Sequence, residues 1–205
     1  MRTYSKYFTW VQDGDNGFYA TKRIQLQNVE ATGSTSGYVR AAVKPTWSVA
    51  LDDGSGASEE LMDEEALSEY GLLPLGDLTS LIFVDAEGDE VSDWRDASAY
   101  QMGDVTFELA EGWSDGWIYN EKDGYFYYKA IVDPGMATTT LLLESVQISA
   151  ETYDIMQENE IVLQVEVLAD AVSTQSGAIE EAWGFAAELG ITVRSDGTLG
   201  VYSGS

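Results

Sequence analysis

The chain has no cysteine and no histidine among its 205 residues. The first absence removes disulfides and thiolate chemistry. The second removes the commonest general base, and together they exclude most zinc sites and every Ser-His-Asp or Cys-His device. Basic residues are scarce, 10 Lys and Arg against 36 Asp and Glu, for a formal net charge of −26. Such a chain repels nucleic acid and anionic lipid at long range, so neither is an expected partner. No apolar run reaches the length of a membrane-crossing helix, so no transmembrane segment is expected. Met1-Arg2-Thr3-Tyr4 lacks the apolar stretch of a secretory leader. The protein is therefore cytosolic, or the numbering starts on a mature or trimmed chain.

What is present is enough to fold. Hydrophobic residues make up 44% of the chain and aromatics 12%, which is not the composition of a disordered polyanion. The length suits one core, so residues 1–205 are expected to form a single domain. "MRTYSKYFTWVQ" at 1–12 alternates loosely between aromatic and polar residues and reads as a strand. "KRIQLQNV" at 22–29 alternates cleanly. "YVRAAVKPTW" at 38–47 reads as a strand stopped by Pro45. Residues 49–100 look like an acidic insert holding a short helix, with Ser58 as N-cap, Met62, Ala66 and Tyr70 on one stripe, and Gly71 at its end. A hairpin around Glu87-Gly88 follows.

From 104 onward, "DVTFEL", "WIYN", "GYFYYKAIV", "TTLLLESVQI" and "EIVLQVEVLADAV" have strand composition and turn punctuation. Asp123-Gly124 suits a tight hairpin between two aromatic strands. "SGAIEEAWGFAAELG" reads as a second helix, and "ITVRSDGTLGVY" as a closing hairpin. The expected fold is mainly β: an antiparallel two-sheet β-sandwich, jelly-roll-like, with two short helices in insertions.

Four segments carry a resemblance: "VEATGSTSGYVRAAVKPTW", "DGYFYYKAIVDPGMATTTLLLESVQI", "VLQVEVLADAVSTQ" and "AIEEAWG". Together they span roughly residues 22–47 and 103–184, and they resemble the TasA/camelysin-like proteins of Gram-positive bacteria, which are exported with a SipW-dependent type of signal peptide. The resemblance implies a secreted or cell-surface sandwich protein without catalytic residues. It also implies polymerisation, in which an N-terminal strand of one subunit completes the sandwich of the next. The expected function is thus a structural subunit of an extracellular fibre, pilus-like filament or biofilm matrix. Its partners would be other copies of itself and a cell-wall or matrix polymer.

Three sets of residues are candidates for function. The first is the donor strand, with Tyr4, Tyr7, Phe8, Thr9 and Trp10. It is β-prone and, through Arg2 and Lys6, locally basic on an acidic chain; its plain alternative is an ordinary first strand in its own sandwich. The second is the aromatic hairpin, Trp117, Tyr119, Tyr125, Phe126, Tyr127 and Tyr128. Alternation puts Tyr125 and Tyr127 on one face and Phe126 and Tyr128 on the other. Rings on both faces point to packing or assembly, the rival being a carbohydrate platform. The third is a set of acidic turns, in which Asp13, Asp15, Asp85 and Asp89 offer oxygen ligands to calcium but also suit ordinary turns. No other cofactor is expected. The rival function is a secreted carbohydrate- or cation-binding module.

Overall fold

The computed structural model describes residues 2–5, 8–14, 17–51 and 58–202. Tyr7 and Asp15 lie outside them. The fold is an antiparallel two-sheet sandwich. Sheet I runs β1 (Arg2–Ser5), β12 (Ile161–Ser173), β4 (Gly37–Leu51), β10 (Tyr125–Tyr128) and β9 (Trp117–Asn120), with β5 (Ser58–Leu61) also on β4. Sheet II runs β2 (Val11–Gln12), β3 (Phe18–Thr21), β11 (Leu143–Ile148), β8 (Val105–Leu109), β7 (Ala99–Met102) and β6 (Ile82–Val84). A separate hairpin joins β13 (Ile191–Val193) to β14 (Leu199–Val201).

The long β4–β12 pair is the spine, in register from Gly37 opposite Ser173 to Val49 opposite Ile161. Period-2 patterning explains the layers. In β8, Val105, Phe107 and Leu109 are buried while Thr106 and Glu108 face outward. The main core lies between the sheets, where Tyr100 of sheet II meets Phe126 of sheet I at 5.7 Å between ring centroids. A second, smaller core of Tyr38, Ile118, Tyr127, Trp183, Leu189, Ile191 and Leu199 covers the outer face of sheet I. The C-terminal segment, with α4 (Ala178–Ala182), α5 (Ala186–Leu189) and the β13–β14 hairpin, supplies its lid.

Several expectations change. Residues 1–12 are not one strand: β1 lies at the end of sheet I and β2 at the edge of sheet II. Pro45 does not stop β4; it stands in mid-strand opposite Val165. Gly37 exchanges backbone bonds with Val132, and Trp47 accepts one from Met62, so both residues point away from β12. Pro45 has the same parity as both, and its missing N–H therefore removes nothing from the β4–β12 ladder. Residues 22–29 keep their alternation, with Ile24 buried and Gln25 exposed, but they follow 137–143 through scattered bonds rather than as a regular strand.

The acidic stretch at 49–100 is more than an insert, since it supplies β5 and β6 and begins β7. Ser58 is not an N-cap but opens β5. Asp63 caps α1 (Glu64–Tyr70), accepting from the Ala66 N–H at 2.9 Å. Met62 and Tyr70 of the expected stripe pack half-buried against the main core, Leu67 is the fully buried residue of α1, and Gly71 ends it at φ 75° as expected. Helices α2 (Trp113–Gly116) and α3 (Ala150–Glu158) were not expected. The helix read at 176–190 is two, α4 and α5, parted at Gly184 with φ 113°.

Candidate functional site

The N-terminal segment closes one side of the sandwich. β1 pairs with β12 from Arg2 opposite Leu168 to Ser5 opposite Val165, so Tyr4 stands opposite Glu166. This covers four of the thirteen residues of β12. The chain then crosses to sheet II. Phe8 and Trp10, with centroids 5.3 Å apart, pack half-buried against the main core, and Thr9 between them is exposed. Val11 and Gln12 form β2 against β3 and are themselves exposed. The candidate strand is thus placed within its own chain, as a short strand followed by a pair of anchoring rings.

The aromatic hairpin is buried on both faces. Phe126 and Tyr128 enter the main core; Tyr127, 0% exposed, enters the second. Alternation sets this split, and the Asn120–Tyr125 turn sets the register. Gly124 in that turn has φ 73°, and a Cβ there would lie 2.5 Å from Leu78 Cβ. The polar ends are satisfied. Trp117 Nε1 donates to the Thr140 carbonyl at 3.0 Å, and the Tyr119 hydroxyl donates to that of Leu78 at 2.8 Å. Burial, aided by the Glu121 carboxylate, pushes the Tyr119 pKa up to about 12. Only Tyr125 is half-buried, and the Arg40 guanidinium covers its ring at 4.2 Å. Five of the six hairpin rings are thus buried, and Tyr125 alone keeps partial exposure, with Arg40 over one face.

Arg40 is the organising residue that sequence reading missed. It stands on the outer face of sheet I, opposite Asp170 of β12 on one side and Tyr127 of β10 on the other. Its side chain is 14% exposed. Nη1 donates to Asp123 Oδ2 at 3.0 Å and to the Tyr127 hydroxyl at 2.9 Å, and Nη2 donates to Asp170 Oδ2 at 3.1 Å. The guanidinium lies 4.8 Å from the Trp183 ring centroid, and Trp183 Nε1 donates to the same Asp170 oxygen at 2.8 Å. The Tyr127 hydroxyl donates to Asp123 Oδ2, and its pKa is raised by burial and then by that bond. Asn120 Nδ2 donates to Asp123 Oδ1 and to the Leu189 carbonyl, both at 2.9 Å. The cluster ties sheet I to the C-terminal lid. An arginine inside the otherwise apolar "YVRAAV" was the available signal.

The acidic turns serve the backbone. Asp85 Oδ1 accepts from the N–H groups of Glu87 at 3.0 Å and Asp89 at 2.9 Å, an Asx-type turn. The Asp13 N–H donates to the Gly17 carbonyl at 2.9 Å in the β2–β3 turn. Among the described residues, no group of three or more Asp or Glu is placed to hold a metal ion. No described helix is long and apolar enough to cross a membrane.

No known protein family, curated protein or solved structure matches this chain.

Proposed function

We propose that the protein is a secreted structural subunit of an extracellular fibre, pilus-like filament or biofilm matrix, joined by donor-strand complementation. The supporting observation is the placement of β1. It is a short strand whose partner among the described residues is β12 alone, at the end of sheet I. A four-residue strand held at one flank can leave its own β12 and pair with that of a neighbour, preserving every ladder bond.

The geometry sets the terms of such a joint. A four-residue register offers on the order of four backbone bonds, each contributing about 1 kcal/mol net. That is a weak joint by itself, so Phe8 and Trp10 would carry much of the adhesion. If β2 stays at home, the path from Ser5 to Val11 spans at most about 20 Å. Neighbouring subunits would then sit in direct contact, not on a flexible tether.

The test is electron microscopy and size-exclusion chromatography of the full chain and of a chain lacking residues 1–12, each with and without a synthetic peptide of those residues. The proposal expects fibres from the full chain, none from the truncated chain, and binding of the peptide by the truncated chain. Fibres from the truncated chain, or a full chain that stays monomeric under all conditions, would overturn it.

A further inference from the structure

The described pairing of β1 on β12 runs from Val165 to Leu168, yet β12 continues to Ser173. Gly37 turns its backbone groups away from β12 to exchange bonds with Val132, and it stands opposite Ser173. In an antiparallel ladder both members of such a pair point outward, and the pattern repeats at every second residue. Ser173, Ala171 and Ala169 therefore aim their backbone groups at the flank on which β1 lies. Among the described residues, no strand pairs with β12 on that flank from Asp170 to Ser173. Asp170 and Ala171 are exposed. Such a stretch ordinarily invites a further extended strand.

Ala171 is already occupied from within the chain. Its N–H donates to Asp170 Oδ1 at 2.8 Å. Asp170 Oδ2 accepts from Arg40 Nη2 at 3.1 Å and from Trp183 Nε1 at 2.8 Å. One carboxylate oxygen thus serves the cluster on the sheet face, and the other serves the flank. Arg40 and Trp183 hold the carboxylate from one side while Ala171 holds it from the other. Local side-chain bonds of this kind compete with strand pairing.

We propose that Asp170 is a strand stop, which closes the flank of β12 beyond Ala169 to strands of a second copy of this chain. An incoming strand needs the Ala171 N–H for its first bond past Ala169, and it must break a charge-assisted bond to take it. It also brings a carbonyl oxygen up to the Asp170 carboxylate, where two negative ends meet. Because Trp183 belongs to the C-terminal lid, docking of the lid and closure of the flank go together. The stop sets where pairing on β12 ends, and it does not depend on fibre formation.

Two variants of the full chain separate the stop from the ion pair. Asp170→Ala and Arg40→Met both break the Arg40–Asp170 bridge, but only the first frees the Ala171 N–H. Hydrogen exchange read by NMR should show the Ala171 amide protected in the parent and in Arg40→Met, and exchanging about tenfold faster or more in Asp170→Ala. Sedimentation velocity should show Asp170→Ala self-associating at a concentration about tenfold lower, or less, than Arg40→Met needs. If Asp170→Ala fails to fold, Asp170→Leu, closer in size and equally without an acceptor, takes its place. An Ala171 amide that is unprotected in the parent, or equal self-association of the two variants, would overturn the proposal.

Discussion

Tyr127 and Trp183 meet edge to face, with centroids 5.3 Å apart and planes at 81°, although 56 positions separate them in the chain. The contact joins a central hairpin to the C-terminal segment, and it makes the second core a stability element. Trp183→Ala and Tyr127→Ala should each cost about 3–5 kcal/mol in urea unfolding. Tyr127→Phe keeps the ring and loses only the hydroxyl bonds to Asp123 and Arg40, so about 1–2 kcal/mol is expected. If Tyr127→Ala cost no more than Tyr127→Phe, ring burial would not be the source of the stability.

Arg40→Lys should behave as a severe change. A lysine has one compact charge and cannot reach Asp123 and Asp170 with separate prongs while lying flat over Tyr125. A loss of about 2 kcal/mol is expected. The C-terminal segment should then become more open to limited proteolysis than sheet II. Equal protection of both regions in the variant would mean that Arg40 is not the tie between lid and sheet.

Alkaline unfolding should follow the buried phenols. An unfolded tyrosine has a pKa near 10. Tyr119 is pushed up to about 12 in the fold, and Tyr127 is also raised. Above pH 10 the unfolded chain loses these protons first, so the folded form binds more. Their contribution is complete below pH 10 and is lost as pH rises towards about 12. Tyr119→Phe should flatten the fall in stability across that window. Absorbance at 295 nm reads the titration directly; phenols that all ionise near pH 10 in the folded protein would contradict the burial.

Assembly should respond to salt. Like charge opposes bringing identical subunits together at a formal net charge of −26. Screening shortens from about 8 Å at physiological ionic strength to about 3 Å at 1 M. Polymerisation followed by light scattering should speed up with added salt, or as pH falls towards 4–5. A rate that falls with salt would mean that a basic N-terminus drawn to an acidic surface controls the encounter.

The strands from 105 to 173 were legible because each alternates within its own few residues and is bounded by turn formers. The two faces of Tyr125 to Tyr128 followed from the same rule. Other elements are decided by distant partners. Residues 58–61 carry acidic, helix-compatible chemistry, but β4 recruits them as β5. Residues 150–158 hide α3 because its buried side chains are only Thr152 and Met156, although Ser149 does cap it. The crossing of the first twelve residues between sheets leaves no local mark, since both halves alternate alike. The Arg40 cluster draws on β4, β10, β12, a turn and the C-terminal lid, so no window of sequence contains it.

The proline in the middle of β4 has a consequence for where foreign chains can add. β10 pairs with β4 only at Arg40 and Ala41, and β5 takes over at Ser48, so no described strand lies against that flank between them. Val43 and Pro45 point their backbone groups to it, Trp47 beyond them already accepts from Met62, and Pro45 has no donor to offer. A stray strand trying to register there meets a missing rung, the device by which sheets discourage unwanted extension. Replacing Pro45 with threonine would restore the donor and make this flank a better template for a further strand.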